Sequence, residues 1–326
     1  MSFPPVPSIP LYFLSFIFGE HTPDGLLVKL YALIAYFAMY RALRHQGRQD
    51  VYAALSSFLL CGASSMLPLL LSGAVWYQAQ VMAFMFTALA VSSMLARHYT
   101  SALLCYALSV GCRPFNVIYG FLLLYIFLIN TKVSKPSLKT AMKSILPGVL
   151  LGLILASAYA WYNYIRFGSP FEFGHNYLPE FSFQGGQQFS LAHIQNNAAT
   201  FIIGLPFEQG EDGLALRSFG FSVFIANPAL LLMMVLFCAD MLKRRAGAYE
   251  ALIIVLFALH LLVLLSHRTF GGFQFGARYA VDLIPYAFAY LAGRELPRGF
   301  KKPCLLMMMA GLAFSIYGSL MIRLPG

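Results

Sequence analysis

Apolar runs about as long as a bilayer is thick recur along this chain, and they limit the folds open to it more than any motif does. A helix crossing the hydrocarbon core needs about 20 mostly apolar residues. Runs of this kind stand at 25–41, 51–70, 76–95, 144–164, 217–240, 249–266, 279–293 and 303–322. Inside lipid every backbone polar group must find a partner within the protein, which leaves helices and closed barrels as spanning structures. Runs this long read as helices. Composition agrees: 60% of residues are hydrophobic, 10% are charged, and the mean hydropathy is +0.71. A soluble domain carries roughly 25% charged residues, so this chain lacks the groups to cover a water-facing surface. The expectation is an all-α, polytopic membrane helix bundle, one transmembrane domain over residues 1–326.

Residues 100–130 are apolar as well, but Arg113-Pro114 interrupts them. Proline removes a helical donor and disfavours helix in the residue before it. Two short helices forming a hairpin, with Arg113 at the tip, fit better than one span. The total is then about ten membrane segments by length.

Direction follows from Lys and Arg. Alternating the spans from an outside start gathers five loops on one side. They hold Arg41, Arg44 and Arg48; Arg97; Lys132, Lys135, Lys139 and Lys143; Lys243, Arg244 and Arg245; and Arg294, Arg298, Lys301 and Lys302. These are 15 of the 22 basic residues. Such an asymmetry marks the cytoplasmic face. The net charge of +10 thus orients the protein, and a nucleic-acid partner is not expected; the bilayer is. Trp76, Tyr77, Trp161, Tyr162 and Tyr164 fall at outer span ends, where amphipathic rings favour the interface. The N-terminus lies on the non-cytoplasmic side. Its Pro4, Pro5, Pro7 and Pro10 and lack of positive charge do not make a signal peptide, and Leu11–Gly19 is too short to span and lies along the outer interface. A chain starting outside in this way is expected to lack a preceding span and outer loop. Cys61, Cys105, Cys112, Cys238 and Cys304 form no metal or redox spacing and read as small buried hydrophobes.

The non-cytoplasmic face carries the chemistry. Most connections there are short, but residues 165–216 form a long external loop, and loops of that length are functional or disordered. This one is aromatic and apolar, which argues against disorder. Ser190 suits the cap of a helix whose Leu191, Ile194, Ala198, Phe201 and Ile202 share a face and which ends near Gly204-Leu205-Pro206. Glu172, His175, Tyr177, Glu180, Glu208, Glu211 and Asp212 are polar candidates around it, although Glu211-Asp212-Gly213 reads first as a solvated turn.

The second outer feature runs from Ser266 to Tyr279 and contains His267, Arg268, Gly271, Gly272, Gly276, Arg278 and Tyr279. Arg278 begins the next helix, at its positive end, and helix N-termini and guanidinium forks both suit phosphate. The reading is a lipid-phosphate clamp; the alternative is that Arg268 and Arg278 snorkel to ordinary headgroups. Intramembrane ionisable groups are functional candidates by default. Arg113 is the foremost, with pairing to backbone carbonyls as the structural alternative. Asp282 stands four residues after Arg278, at pairing distance on a helix. His260 reads first as a helix-packing histidine, with a proton relay as the alternative. No phosphate-binding loop, dinucleotide fingerprint, zinc-protease or nucleophile-elbow motif is present.

In order, these segments resemble the bacterial GT-C-type membrane glycosyltransferases that use polyprenyl-phosphate-linked sugars. Pro4-Pro5 before an apolar stretch, Leu71–Ala79 with Gln78 where an acidic residue often stands, and Gly111-Cys112-Arg113-Pro114 each resemble elements of that family. So do Tyr162-Asn163-Tyr164-Ile165-Arg166-Phe167-Gly168-Ser169-Pro170 and Gly271-Gly272-Phe273-Gln274-Phe275-Gly276-Ala277-Arg278-Tyr279. The resemblance covers nearly the whole chain. It implies inverting sugar transfer from a lipid-phosphate donor to a glycan, lipid or protein acceptor, outside the bacterial inner membrane. Arg278, Tyr279, Arg268, His267, Arg113, Tyr177 and His175 would bind lipid phosphate and substrate, with no cofactor expected and a divalent metal left open, since the sequence indicates no ligands for one. The family's essential acidic residue lies in its first outer loop, which falls upstream of Met1. Two other readings stay open. One is a transporter or lipid flippase, for which broken helices in pairs are the sign; Arg113-Pro114 is one break without a partner. The other is a non-catalytic remnant or subunit of a cell-envelope glycosylation system.

Overall fold

The computed structural model of the protein describes residues 5–72, 75–174, 177, 188–210, 213–269, 271–294, 296, 299 and 301–321. Among them the chain is almost wholly helical. In order come α1 (Pro5–Phe18), α2 (Asp24–His45), α3 (Asp50–Gly62), α4 (Met66–Ser72), α5 (Val75–Leu95), α6 (Tyr99–Cys112), α7 (Tyr119–Ser134) and α8 (Leu138–Phe167). Then follow α9 (Ala192–Ile203), the strands β1 (Phe207–Gly210) and β2 (Gly213–Leu216), α10 (Val223–Ala226), α11 (Pro228–Leu242), α12 (Ala248–Leu265), α13 (Ile284–Gly293) and α14 (Lys301–Met321). Short 3-10 segments, Pro114–Ile118 and Arg278–Leu283, lead into α7 and α13.

Six segments among the described residues are long and apolar enough to cross a membrane: Asp24–His45, Trp76–Leu95, Pro114–Ser134, Lys139–Phe167, Ala248–Leu265 and Lys301–Met321. Their environments differ. Of the most apolar stretch of Trp76–Leu95, 72% is buried in protein, against 6% for Lys139–Phe167. Leu146, Leu150, Leu153, Ile154, Trp161 and Ile165 all stand exposed on α8. In water so large an apolar patch would mark an interface or an aggregation surface; against hydrocarbon it needs no partner. The chain is a multi-pass helical membrane protein.

It divides into two compact units, Met1–Ala38 with Gly73–Gln188, and Met39–Ser72 with Phe189–Gly326. In the first, α6 packs between α5 and α8. Gly148 on α8 lets the helices approach closely, since a Cβ there would stand 3.0 Å from the Cα of Thr100. The predicted break at Arg113-Pro114 is present: Arg113 is extended, at φ −141° and ψ 102°. A buried polar knot holds it. The Asn116 amide donates to Ser109 Oγ at 2.7 Å and Thr87 Oγ1 at 3.2 Å, and Thr87 donates to the Ala83 carbonyl at 2.8 Å. The arm after the break is longer than the expected short helix, because Pro114–Ser134 alone is 21 residues. α1 starts earlier than the expected interfacial segment at Leu11–Gly19, and it leaves Tyr12, Phe13, Phe16 and Ile17 exposed.

The second unit is built around α13, whose residues from Ile284 to Ala292 are all buried. Here the structure departs from the hydropathy reading, which predicts single spans at 51–70, 217–240 and 279–293. The first two are interrupted, and the third changes helix type. α3 stops at Gly62 and α4 starts at Met66; Asn227, at φ −134° and ψ 79°, divides α10 from α11; and 279–293 begins as 3-10 turns. The two breaks meet the loop that leads into Arg278. Ser65 N–H donates to Asn227 Oδ1 at 2.9 Å, and Ala277 N–H donates to Ser65 Oγ at 3.2 Å. Asn227 Nδ2 donates to the Val223 carbonyl at 2.8 Å, and Phe221 N–H to the Gly276 carbonyl at 3.3 Å. Gly276 is at φ +72°, and a Cβ there would come 2.8 Å from Ala226 Cβ and 2.9 Å from Ser65 Oγ. Only glycine fits this backbone crossing.

α14 closes over the same region. A Cβ on Gly311 would strike Pro228, and one on Gly318 would strike Phe275. The two glycines are seven residues apart, so they lie on one face, and small residues there allow close approach between helices in lipid. Phe275 itself packs edge-on against Phe221 and Phe314. At the far end of α11, Asp240 is buried and ion-paired with Arg294, and Tyr290 Oη donates to Asp240 Oδ2 at 3.1 Å.

Replacing Asn227 with Ala leaves the Ser65 amide buried without its acceptor. The expected cost is about 1–3 kcal/mol, read as a lower unfolding midpoint in detergent; an unchanged midpoint would refute the knot's role. Arg294→Leu strands Asp240 and is expected to cost about 3–5 kcal/mol. The double variant Asp240→Leu/Arg294→Leu should recover most of that loss in the same assay.

Candidate functional site

The predicted clamp grows out of the end of α12. A helix leaves its last carbonyls without internal partners, and here Asn197, buried on α9, supplies them. Its amide donates to the Leu265 and His267 carbonyls, both at 2.7 Å. Ser190 N–H donates to the Ser266 carbonyl at 2.9 Å, and Phe189 pairs with His267 as an antiparallel bridge. The Ser190 hydroxyl in turn accepts from Ala192 N–H at 3.2 Å, at the start of the helix predicted after it. That helix ends at Ile203, before Gly204, as the sequence reading expects, and it buries Phe201 beside Asn197.

His267 is buried and wedged between rings: Phe189 at 5.0 Å and Tyr279 at 5.7 Å, both edge-on. Its Nδ1 lies 2.8 Å from the Thr269 carbonyl oxygen and 3.1 Å from the Thr269 amide nitrogen, so the ring also fixes the bend that follows it. Arg268 stands in that bend, half-buried. Gly271 and Gly272 then take φ of +108° and +78°, a region that side chains disfavour. The chain reverses, and Gln274 N–H donates to the Ser218 carbonyl at 2.8 Å.

The turn delivers Arg278. Its backbone N–H donates to Gln274 Oε1 at 2.6 Å. Its guanidinium carbon lies 5.1 Å from the centre of the Tyr279 ring. Gly271 forms the floor: a Cβ there would stand 2.7 Å from Arg278 Nε and 2.8 Å from Nη2. The guanidinium is thus laid on bare backbone and held beside an aromatic ring, with the residue half-exposed. A planar five-donor fork in such a seat suits an oxyanion with two or more oxygens, such as phosphate or carboxylate. The helix after it differs from the expected one, since Arg278–Leu283 is a six-residue 3-10 segment and the α-helix begins at Ile284.

His267, Arg278 and Tyr279 therefore form one cluster, with Arg268 beside it in the loop. Gln274, Asn197 and the floor at Gly271 complete it, and the sequence reading does not single out their roles. Arg113 and Tyr177 belong to the first unit. Arg113 closes α6, donating its N–H to the Ser109 carbonyl at 2.9 Å. Tyr177 stacks on Phe167 at 5.1 Å, and Arg166 lies over both Phe167 and Tyr162 at 4.8 and 4.9 Å. Asn163 Nδ2 donates to the Pro170 carbonyl at 3.2 Å, and Gly168 takes φ +70°. The Tyr-Asn-x-x-Arg-Phe-Gly-Ser-Pro stretch is thus a helix ending, with a cation placed at the negative end of α8.

The remaining candidates separate. Glu172 accepts from Gly174 N–H at 2.7 Å within its own turn, and Glu208 pairs with Arg217 at 3.1 Å beside the β1–β2 hairpin. His260 is fully buried, with its Nδ1 3.5 Å from Tyr286 Oη and the two rings edge-on; that is helix packing. Gln78 is likewise fully buried, on α5. His175, Glu180, Glu211 and Asp212 lie outside the described residues. Among the described residues no group of three His, Cys, Asp or Glu side chains is placed to hold a metal ion. No protein-family model, curated protein or solved structure matches the chain.

The floor under Arg278 orders two neighbouring substitutions. Gly271→Ala meets both a positive φ and the guanidinium, whereas Gly272→Ala meets a positive φ with nothing within 4 Å of the new carbon. The first should lower the unfolding midpoint more, with Gly272→Ala costing about 1–2 kcal/mol from backbone strain alone. Equal losses would remove the argument for the floor.

Proposed function

We propose that this chain is a GT-C-like membrane glycosyltransferase component that moves a sugar from a polyprenyl-phosphate donor to an acceptor on the non-cytoplasmic face of the bacterial inner membrane. The observation that carries the reading is the seating of Arg278 on Gly271 beside Tyr279. In such a transfer the sugar's anomeric carbon breaks from the lipid-phosphate oxygen and bonds to an acceptor hydroxyl, whose proton passes to a carboxylate base. Negative charge gathers on the departing phosphate. A guanidinium already fixed in place stabilises that charge without rearranging during the reaction. Arg278 fills this role, with Tyr279 and His267 holding its flank. The base is not assigned to a residue of this chain.

The topology forms part of the proposal: about ten membrane segments by length, with residues 165–216 as the long outer connection carrying α9. α12 supports the placement of the cluster. Lys243, Arg244 and Arg245 precede it and His267 follows it. Its 18 residues set those ends about 27 Å apart at roughly 1.5 Å per residue. Basic connections facing the cytoplasm then put the Arg278 loop outside.

A second reading, a transporter or lipid flippase, draws on the two interrupted helices that meet at Ser65 and Asn227, because transporters place substrate where broken helices meet. The glycosyl-transfer reading is preferred because those polar groups bond to one another and brace the fold.

The test follows release of polyprenyl phosphate from a radiolabelled polyprenyl-phosphate sugar in membranes containing the protein. Arg278→Ala should abolish release. Arg278→Lys keeps the charge but loses the planar fork, and should retain about a tenth or less of the rate. Full turnover by Arg278→Ala would sink the phosphate clamp. Uptake of the intact lipid-linked sugar into vesicles, without cleavage, would favour the transporter.

A further inference from the structure

Within the second unit a cavity of about 150 Å³ opens among α3, α11, α13 and α14. Leu59, Leu232, Leu291 and Met308 line it and are buried, while Leu55 and Leu305, each 39% exposed, mark where it opens. Tyr52, near the start of α3, and Lys301, at the start of α14, mark one end, and Ser56 lines the cavity one turn further in. Leu59 and Met308 lie seven residues further along the same helices, so the apolar part extends about 10 Å from that end.

A cavity of this size with a mostly apolar lining has room for a benzene-sized hydrocarbon guest. In a membrane protein the guest nearest to hand is a lipid chain. The charges beside the polar end select among lipids. Arg294 is ion-paired with Asp240, and Arg48 Nη2 donates to the Ala292 carbonyl at 3.2 Å. Lys301 and its neighbour Lys302 are exposed, and basic side chains at a bilayer edge attract anionic headgroups. We propose that this cavity is a binding site for an anionic phospholipid, one acyl-chain segment lying against Leu59 and Met308 and the phosphate held at Lys301. The site is separate from the Arg278 cluster and does not depend on sugar transfer.

Native mass spectrometry of the full-length protein, released from nanodiscs of equimolar phosphatidylglycerol and phosphatidylcholine, tests it. The unaltered protein should retain one phosphatidylglycerol in preference to phosphatidylcholine. Lys301→Glu, at an exposed position, should lower the phosphatidylglycerol adduct about fivefold or more and leave the phosphatidylcholine adduct unchanged. Leu59→Trp fills the cavity and should remove both adducts; Leu305→Trp, at the half-exposed mouth, serves the same purpose if the buried change prevents folding. The same adduct pattern in all variants overturns the proposal. So does equal retention of the two lipids by the unaltered protein, or a dimer of the chain that Leu305→Trp dissociates in place of a lipid adduct.

Discussion

A helix interrupted inside a protein frees backbone amides and carbonyls that must find partners there, and the second unit rests on how this is solved. Its two helix breaks and the loop before Arg278 are stacked so that each supplies what another lacks. The Ser65 amide is taken by the Asn227 side chain, the Ala277 amide by the Ser65 hydroxyl, and the Gly276 carbonyl by the Phe221 amide. Buried non-helical backbone is stable where protein groups pair with it, and α14 completes the enclosure through Gly311 and Gly318. Arg278 follows directly from this arrangement. It lies one residue past Ala277, so the knot that satisfies the backbone also fixes where the guanidinium starts.

The break at Arg113-Pro114 was legible in the sequence because proline carries its own local signal. The breaks at Ser64-Ser65 and Asn227 were not. Single Ser or Asn residues inside apolar runs are ordinary interhelical hydrogen-bonding groups, and hydropathy does not register whether a partner interrupts the helix at the same level. Asp240 and Arg294 show the same limit with charge. They lie 54 positions apart at the ends of separate apolar runs, where they count as loop charges, and their pairing exists only once α11 and α13 pack. Arg278 and Tyr279 were legible as neighbours. That His267 reaches Tyr279 depends on the two positive-φ glycines between them, and that Gly271 floors Arg278 depends on the same reversal.

The two longest motif-like stretches separate when their contacts are compared. In Tyr162–Pro170 the characteristic side chains all shape the end of the helix. Arg166 lies over Tyr162 and Phe167, Asn163 holds Pro170, and Gly168 turns the chain. Recurrence of such a stretch reports a way of leaving the membrane and carries little information about chemistry. In Gly271–Tyr279 the glycines and Gln274 are also architectural, and what they shape is the seat of Arg278. A guanidinium set on bare glycine and half open to its surroundings contributes less to packing than an apolar side chain would in the same place, and it carries a desolvation cost. A fold that gives Arg278 two positive-φ glycines, a dedicated amide acceptor and an aromatic flank sustains that cost at one position. The return proposed for it is a fixed cation for an anionic group, and that seat is why Arg278, ahead of Arg166 or Arg294, carries the proposed role.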